Sequence, residues 1–597
     1  MPKHKQLRLL FDENPGLFDQ LRQARTLEEA REEALMYVLK YESITLNTTD
    51  YNHPMERSVA RKCINTLRNM LSKRSEELTG FSAIEAIWKL SKGRQEKFTK
   101  GFIREMRHLF KGMKGTTGLY TIDPESDAAE DNISNDSRTI SRQRSYVLDG
   151  IAAKAHNWVK KYKSGLEREV VQRRKENKQR ILEYFKATEE DWNSWEWQCR
   201  NVIRDAKMAS DLINLTDDEK YSIAISRKHG IPFGITPYYA MLMDRKTDRV
   251  HDNAIRAQVI PPLEYSMFMA NAKEGRGEEL DFMGENDTSP EDLITRRYPM
   301  ISIFKPYNTC AQICVYCQRN WEINDVLAKD SQAPQRKLEK AMEWYKAHPE
   351  ITEILVTGGD PAIMSDAVMK HILDRIRELP QITRIRIGTR TPVVLPMRFS
   401  EEYADLLASY QIPGKREICV MTHFEHPYEV TPEAMDAVQK LRHRGISVYN
   451  QGVYTMENAR RFEMVALRKA LRLIGVDPYY TFNTKGKEEM RDYRIPIARL
   501  IQEQTEEARL NPGLERTDEA VFNIPRLGKN YLRAGQDHEV IMVLPEGERV
   551  YEFYPWDMST TDVSPYLHID LPIDEFLDKI QDKGEDPQDY RSIWYYL

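Results

Sequence analysis

Cys310, Cys314 and Cys317 fall within eight positions, in the run Cys310-Ala-Gln-Ile-Cys314-Val-Tyr316-Cys317. Thiolates this close can each hold one iron of a cubane iron–sulfur cluster and leave the fourth iron without a protein ligand. An open iron can then bind a cofactor or a substrate. The alternative is a group of buried thiols with no metal. Half of the six cysteines sit in this run, while Cys63, Cys199 and Cys419 are scattered singly, which favours a built site over chance.

Further polar motifs follow short β-branched runs. Residues 351–357 read as a buried strand that ends in Gly358-Gly359-Asp360-Pro361, and 383–387 run into Gly388-Thr389-Arg390. Residues 418–421 run into Thr422-His423-Phe-Glu-His426-Pro427, and 447–449 into Asn450-Gln451. Amphipathic helical patterns separate these runs. Strand and helix in alternation predict a parallel sheet, open or closed. Polar residues at the C-terminal ends of such strands are where barrels build their sites.

The length of 597 residues predicts more than one domain. A net charge of −5 offers no broad basic field, so nucleic acid is not expected as a partner. No run reaches the length of a membrane span, and the N-terminus lacks the apolar core of a signal peptide. Six cysteines in a chain this long are no disulfide framework, so a cytoplasmic location is expected. The expected organisation is a helical region at 1–122, a polar mobile linker at 123–145 and a basic helical connector at 146–190. A core at 191–560 and an acidic tail at 561–597 follow. Thr26-Leu-Glu-Glu29 is a capping box that opens a helix. Phe98, Phe102, Met106, Phe110 and Met113 share one helical face. The basic face within 146–185 is either solvated or meets an acidic partner.

With these motifs placed, the chain resembles the lysine 2,3-aminomutase family of radical S-adenosylmethionine (SAM) enzymes. The resemblance runs from about Asp191 to about Glu552. It is carried by the cysteine run with its aromatic Tyr316, Ile235-Thr-Pro-Tyr-Tyr-Ala240, Arg297-Tyr298-Pro299 and Thr357 to Pro361. Arg386 to Pro396, Thr422 to Pro427 and Pro478-Tyr479-Tyr480 add to it. The resemblance implies an α/β fold, a partial (β/α) barrel of radical SAM type, here with a mostly helical N-terminal extension. It implies a [4Fe–4S] cluster, SAM and pyridoxal 5′-phosphate (PLP) as cofactors, and transfer of an α-amino group to the β-carbon of an amino acid. An electron donor such as flavodoxin or ferredoxin and a homo-oligomeric state are implied as well.

Residue by residue, the resemblance assigns Cys310, Cys314 and Cys317 to iron. Tyr316, Gly358, Gly359, Asp360, His423 and Gln451 go to SAM, with His426 expected to face the same cavity. Lys529, in Asn523-Ile-Pro-Arg-Leu-Gly-Lys529, matches the lysine that carries PLP, although the loop is one residue short and lacks two glycines. Arg297 matches a phosphate-binding arginine and Tyr298 an aromatic residue beside the ring. The family's second phosphate-binding arginine falls at Ile301, and Arg526 is the expected replacement.

Arg319 matches the arginine that pairs with the substrate α-carboxylate. The lysine enzymes then present two aspartates to the distal ammonium; here those positions are Lys485 and Asn523. A lysine beside a substrate ammonium is repulsive, whereas a lysine with an amide suits a carboxylate. This pair resembles glutamate 2,3-aminomutase and points to conversion of L-glutamate to β-glutamate. Other readings are the same core acting on aspartate, lysine or a peptide-bound residue, the same core without PLP, or an interaction protein with a degenerate barrel.

Overall fold

The β-branched runs form one sheet whose strands lie side by side in chain order. The computed structural model describes residues 3–47, 54–94, 98–119, 136–245, 250–276, 280–319, 321–323, 325–484, 487–525, 528–532, 538–553 and 566–597. The sheet starts with β1 (Ile294–Thr295) and β2 (Ile301–Tyr307), continues through β3 (Glu353–Gly358), β4 (Arg384–Gly388) and β5 (Glu417–Thr422), and then β6 (Ser447–Tyr454) and β7 (Asp477–Asn483). It ends with β8 (Glu519–Ile524) and β9 (Gly528–Tyr531). From β2 to β8 every pairing is parallel, while β1 and β9 add to the two edges antiparallel. Helices Gln335–Ala347, Asp366–Arg377, Glu401–Ala408, Pro432–Arg442 and Glu463–Leu473 make the crossovers. Among the described residues β1 does not pair with β9, so the barrel is partial.

The strands alternate. On β2, Ser302 and Phe304 are buried, while Ile301, Ile303, Lys305 and Tyr307 are half-buried on the other face. On β4, Ile385 and Ile387 are buried, and Arg384, Arg386 and Gly388 alternate with them. A period of two on parallel strands separates a packed face from one that can line a cavity. β3, β4, β5 and β6 lie where the β-branched runs predict strands. β6 is longer than expected and carries Gln451 on the strand rather than in the loop after it.

The chain divides into two compact units, 1–154 with 495–506 and 533–597, and 155–494 with 507–532. This differs from the linear division expected from sequence. Residues 561–597 are no separate tail: β10 (His538–Val543), β11 (Arg549–Phe553) and β12 (Tyr566–Ile569) form an antiparallel sheet in the unit that holds the N-terminal helices. Helix Ile573–Asp582 belongs to the same unit. At its centre Arg549 donates from Nε to Glu105 at 3.2 Å, with both side chains almost wholly buried. Arg549 also donates to the Trp594 carbonyl at 2.7 Å. An arginine removed from water needs such partners, and the last turns supply them.

Part of the expected linker is helical. The helix Ser137–Val159 covers its end, and residues 120–135 lie outside the described residues. The basic connector is two helices, this one and Arg168–Phe185. The second spends basic residues on packing: Arg173 donates to the Tyr428 hydroxyl and Arg174 to the Tyr428 carbonyl, each at 2.7 Å. In the N-terminal helices, Thr26 caps Leu27–Asn47 by accepting from the Glu29 amide at 3.1 Å. Phe102, Met106, Phe110 and Met113 are buried on one face of Lys100–Met113. Among the described residues no helix is long and apolar enough to cross a membrane.

Candidate active site

The cysteine loop leaves β2 at Tyr307 and is tied down by backbone bonds. The amides of Asn308, Ile313 and Val315 donate to the carbonyls of Ser331, Gly234 and Gln258 at 2.8, 3.1 and 2.8 Å. Ile313, Ile323, Val326 and Val202 pack beneath it and bring Cys310 and Cys317 with them. All three cysteines line one cavity of about 320 Å³ together with Tyr316, Gly358, Gly359, Asp360, Arg319, His423, Gln451 and Asn523. Residues spread over more than two hundred positions thus meet at the C-terminal ends of the strands, as the barrel rule requires. Among the described residues no three His, Cys, Asp or Glu side chains converge on a point that would hold a single metal ion. A cubane needs no such convergence, since each thiolate takes its own iron, and three thiols facing one cavity fit it.

Gly358 and Gly359 are demanded by the protein itself. Gly358 has φ +116°, and a Cβ there would lie 2.4 Å from the Tyr307 carbonyl oxygen. A Cβ on Gly359 would lie 2.0 Å from that of Thr309. The glycines let the β3 loop touch the start of the cysteine loop, where Gly359 N–H donates to Tyr307 at 2.7 Å and Asp360 N–H to Thr309 at 2.8 Å. The Asp360 carboxylate is fully employed: it accepts from the amides of Ala362 and Arg390 at 3.1 and 2.9 Å and from the Thr389 hydroxyl.

Tyr316 packs edge-on to Tyr493, ring centroids 5.5 Å apart. His423 places Nδ1 2.7 Å from the Gln451 carbonyl, and burial, against that bond, brings its imidazole down to about 4. His426, in contrast, does not line the cavity. Its Nδ1 accepts from the Tyr428 amide at 3.1 Å and its Nε2 stands 3.2 Å from Glu463 Oε1, so it is a cap within the packed shell.

Three lining residues were not expected from the sequence. Arg390 donates to Cys314 Sγ at 2.7 Å and to Glu429 Oε1 at 2.8 Å, so it places a fixed positive charge beside one thiol. Glu425 is buried between the two histidines of its motif; burial pushes its carboxyl up to about 8, against the charge of Arg390. Glu285 lies 2.7 Å from Lys305 Nζ and 3.7 Å from Arg319 and from Arg297. Burial opposes its ionisation, yet the charges of Arg319, Lys305 and Arg297 hold it down at about 2. The signal for Arg390 and Glu425 was their place in strand-end motifs. Glu285 carried no signal, because its loop precedes the sheet.

A second cluster surrounds Lys529 on β9. Its Nζ lies 4.9 Å from the Tyr298 ring centroid and 5.0 Å from that of Tyr480, and its amide donates to the Tyr298 hydroxyl at 2.6 Å. Burial, reinforced by the charges of Arg386 and Arg297, brings its ammonium down to about 8. Such a lysine is still mostly protonated at pH 7 but holds a far larger share of nucleophilic free amine than an ordinary lysine. Arg297 is buried, and its Nε and Nη2 have no hydrogen-bond partner. A buried, under-satisfied guanidinium next to an aromatic ring and a depressed lysine fits a phosphorylated carbonyl cofactor. Arg319 likewise keeps Nη1 buried and without a partner, while its Nε donates to Glu322 at 2.8 Å. Lys485 and Arg526 lie outside the described residues.

This fold, with a cysteine loop after the first parallel strand and a polar cavity at the strand ends, defines a radical SAM protein. The family profile for the radical SAM superfamily matches residues 304–468. A Methanocaldococcus jannaschii protein described as an uncharacterized KamA family protein is 42% identical, over 98% of this chain and 97% of its own. Glutamate 2,3-aminomutase of Clostridioides difficile is 33% identical over 56% of this chain and 74% of the relative. L-lysine 2,3-aminomutase of Bacillus subtilis is 33% identical over 53% and 63%. The chain belongs to the KamA family, the lysine 2,3-aminomutase family of radical SAM enzymes.

Proposed function

We propose that the chain is a PLP-dependent 2,3-aminomutase that moves the α-amino group of an acidic amino acid to its β-carbon, with L-glutamate as the favoured substrate and β-glutamate as the product. The observation that carries this reading is Arg319 in the cysteine cavity, buried with an unpartnered Nη1 and lining the same space as Asn523. A guanidinium fork suits an α-carboxylate, and an amide instead of a carboxylate at Asn523 removes the partner that a distal ammonium needs.

Cys310, Cys314 and Cys317 would hold the [4Fe–4S] cluster, which would supply the electron that reductive cleavage of SAM needs. PLP, when bound, would supply the π-system that amino migration needs. Around them, Lys529 offers an amine that loses its proton more readily than an ordinary lysine, Tyr298 both packs against that lysine and accepts from its amide, and Arg297 offers its unpartnered Nε and Nη2 to a phosphate. Arg319 orients the substrate carboxylate, and Glu322 and Glu285 hold its guanidinium in place. A low-potential donor such as flavodoxin or ferredoxin would reduce the cluster.

The test is an anaerobic assay of the reconstituted protein with a panel of α-amino acids, reading β-amino products. β-Glutamate as the dominant product supports the proposal. A β-amino product from lysine in preference to glutamate rejects the substrate, and turnover without PLP rejects the cofactor.

A further inference from the structure

We infer that Lys487 is the cation that reads the distal carboxylate of the substrate, an inference that rests on the aminomutase reading above. Lys487 follows the end of β7, and its side chain is only 2% exposed. It lines the same cavity as Arg319 and Asn523, next to Asn483, Thr484 and Met490. Its Nζ is 2.6 Å from Glu489 Oε1, and the Glu489 side chain is only 3% exposed.

The backbone around it is pinned. Thr484 Oγ1 donates to the carbonyls of Tyr454 and Tyr493 at 2.6 and 3.0 Å, and the Met490 amide donates to the Lys487 carbonyl at 3.0 Å. Met490 in turn belongs to the apolar cluster under Tyr316. An ammonium withdrawn this far from water requires a counter-charge, and Glu489 supplies it. Glu489 does not line the cavity, whereas Lys487 does. The pair therefore turns its positive end to the cavity and its negative end away.

Arg319 stands against the same space in the same way, with Glu322 and Glu285 as its carboxylate partners. Two cations, each with a carboxylate partner, match a small molecule that carries two carboxylates. They also oppose a distal ammonium, which would meet Lys487 head-on. Sequence matching singles out Lys485 for this role. Lys485 lies outside the described residues, whereas Lys487, two residues later, lines the cavity that Asn523 also lines.

The experiment compares kcat/KM for L-glutamate and for its neutral isostere L-glutamine in the reconstituted enzyme and in Lys487→Met, Lys485→Met and the double variant Lys487→Met/Glu489→Gln. The double variant removes the buried pair as a unit and guards against misfolding from an unpaired Glu489. Iron content and SAM binding are read alongside and are expected to stay at the wild-type level. The preference for glutamate over glutamine is expected to fall roughly ten- to a hundredfold in both Lys487 variants, the size of a charge-assisted contact. It is expected to fall much less in Lys485→Met. Loss of the preference in Lys485→Met with its retention in the Lys487 variants overturns the inference and leaves the aminomutase reading intact. A wild-type enzyme that forms no β-amino product from any acidic amino acid overturns both.

Discussion

Asn523 on β8 stands directly opposite Lys529 on β9 in the antiparallel register of the hairpin. Directly opposed residues place their side chains on the same face, with Cβ atoms about 5 Å apart. The position that differs between lysine- and glutamate-type enzymes is thereby fixed next to the lysine that we propose carries PLP. A one-residue slip would turn one of the two to the other face. In the proposed reaction, substrate choice at Asn523 and cofactor attachment at Lys529 are coupled through a single pair of strands.

That coupling makes the double variant Lys485→Asp/Asn523→Asp informative. It places two carboxylates where the lysine enzymes have them. Turnover of glutamate is expected to drop roughly tenfold or more, because both new carboxylates repel the distal carboxylate of the substrate. Steady-state rates of β-glutamate formation check this; unchanged rates would remove these two positions from the specificity argument.

Lys529 titrates at about 8, not near the ordinary lysine value of 10.5. Below that pH the ammonium form dominates and cannot attack a carbonyl; above it the free amine dominates. The initial rate of PLP uptake by the apo-protein is therefore expected to rise with pH and level off a little above 8. A rate that still climbs toward 10.5 contradicts the burial of this lysine. Borohydride reduction and peptide mapping should place the pyridoxyl group on Lys529, and Lys529→Ala should leave that peptide unlabelled.

Cys314→Ala removes one of three thiols that face the cavity, and Arg390 then has no sulfur to meet. Iron incorporation and SAM cleavage are expected to collapse, while Cys63→Ala, Cys199→Ala and Cys419→Ala keep full iron. Iron analysis and the cluster absorbance band decide between these outcomes. Full iron in Cys314→Ala would put the cluster elsewhere.

Glu285→Gln removes the carboxylate shared by Arg297, Lys305 and Arg319. Breaking a buried ion network on one side costs about 3–5 kcal/mol, so chemical denaturation should show a clear loss of stability at pH 7. The Glu285 carboxyl is depressed to about 2, so its contribution is complete above the unfolded value near 4.5 and disappears as the pH falls toward 2. The difference between wild type and variant should shrink over that window. A difference that is independent of pH would mean that the charge of Glu285 is not what stabilises the cluster.

Gly359→Ala forces a methyl group to within 2.0 Å of the Thr309 carbonyl oxygen. Neither backbone can yield without moving the cysteine loop. A loss of roughly 3 kcal/mol is expected, with reduced iron incorporation. Wild-type iron and stability would show that the loop relaxes freely.

Much of the site is legible in the sequence alone. Cys310, Cys314 and Cys317 are close along the chain, so their chemistry depends on spacing alone. The strand ends at Gly358, Gly388 and Thr422 are visible because β-branched runs alternate with helical patterns, and that alternation dictates a parallel sheet whose loops gather on one side. What depends on contacts between distant segments is not legible. No local pattern announces that Glu285 sits among Arg297, Lys305 and Arg319, that His426 caps a turn instead of facing the cavity, or that Lys487 lines it. Arg549 finds Glu105 across 444 positions, so residues 533–597 join the N-terminal helices instead of trailing from the barrel. Sequence by itself determined where the candidate reactive groups fall along the chain and that strands alternate with helices, since periodicity and spacing are local properties. The tertiary structure alone decided which charges share a wall and which are consumed in packing, because burial makes an ion pair obligatory only once both partners have left water.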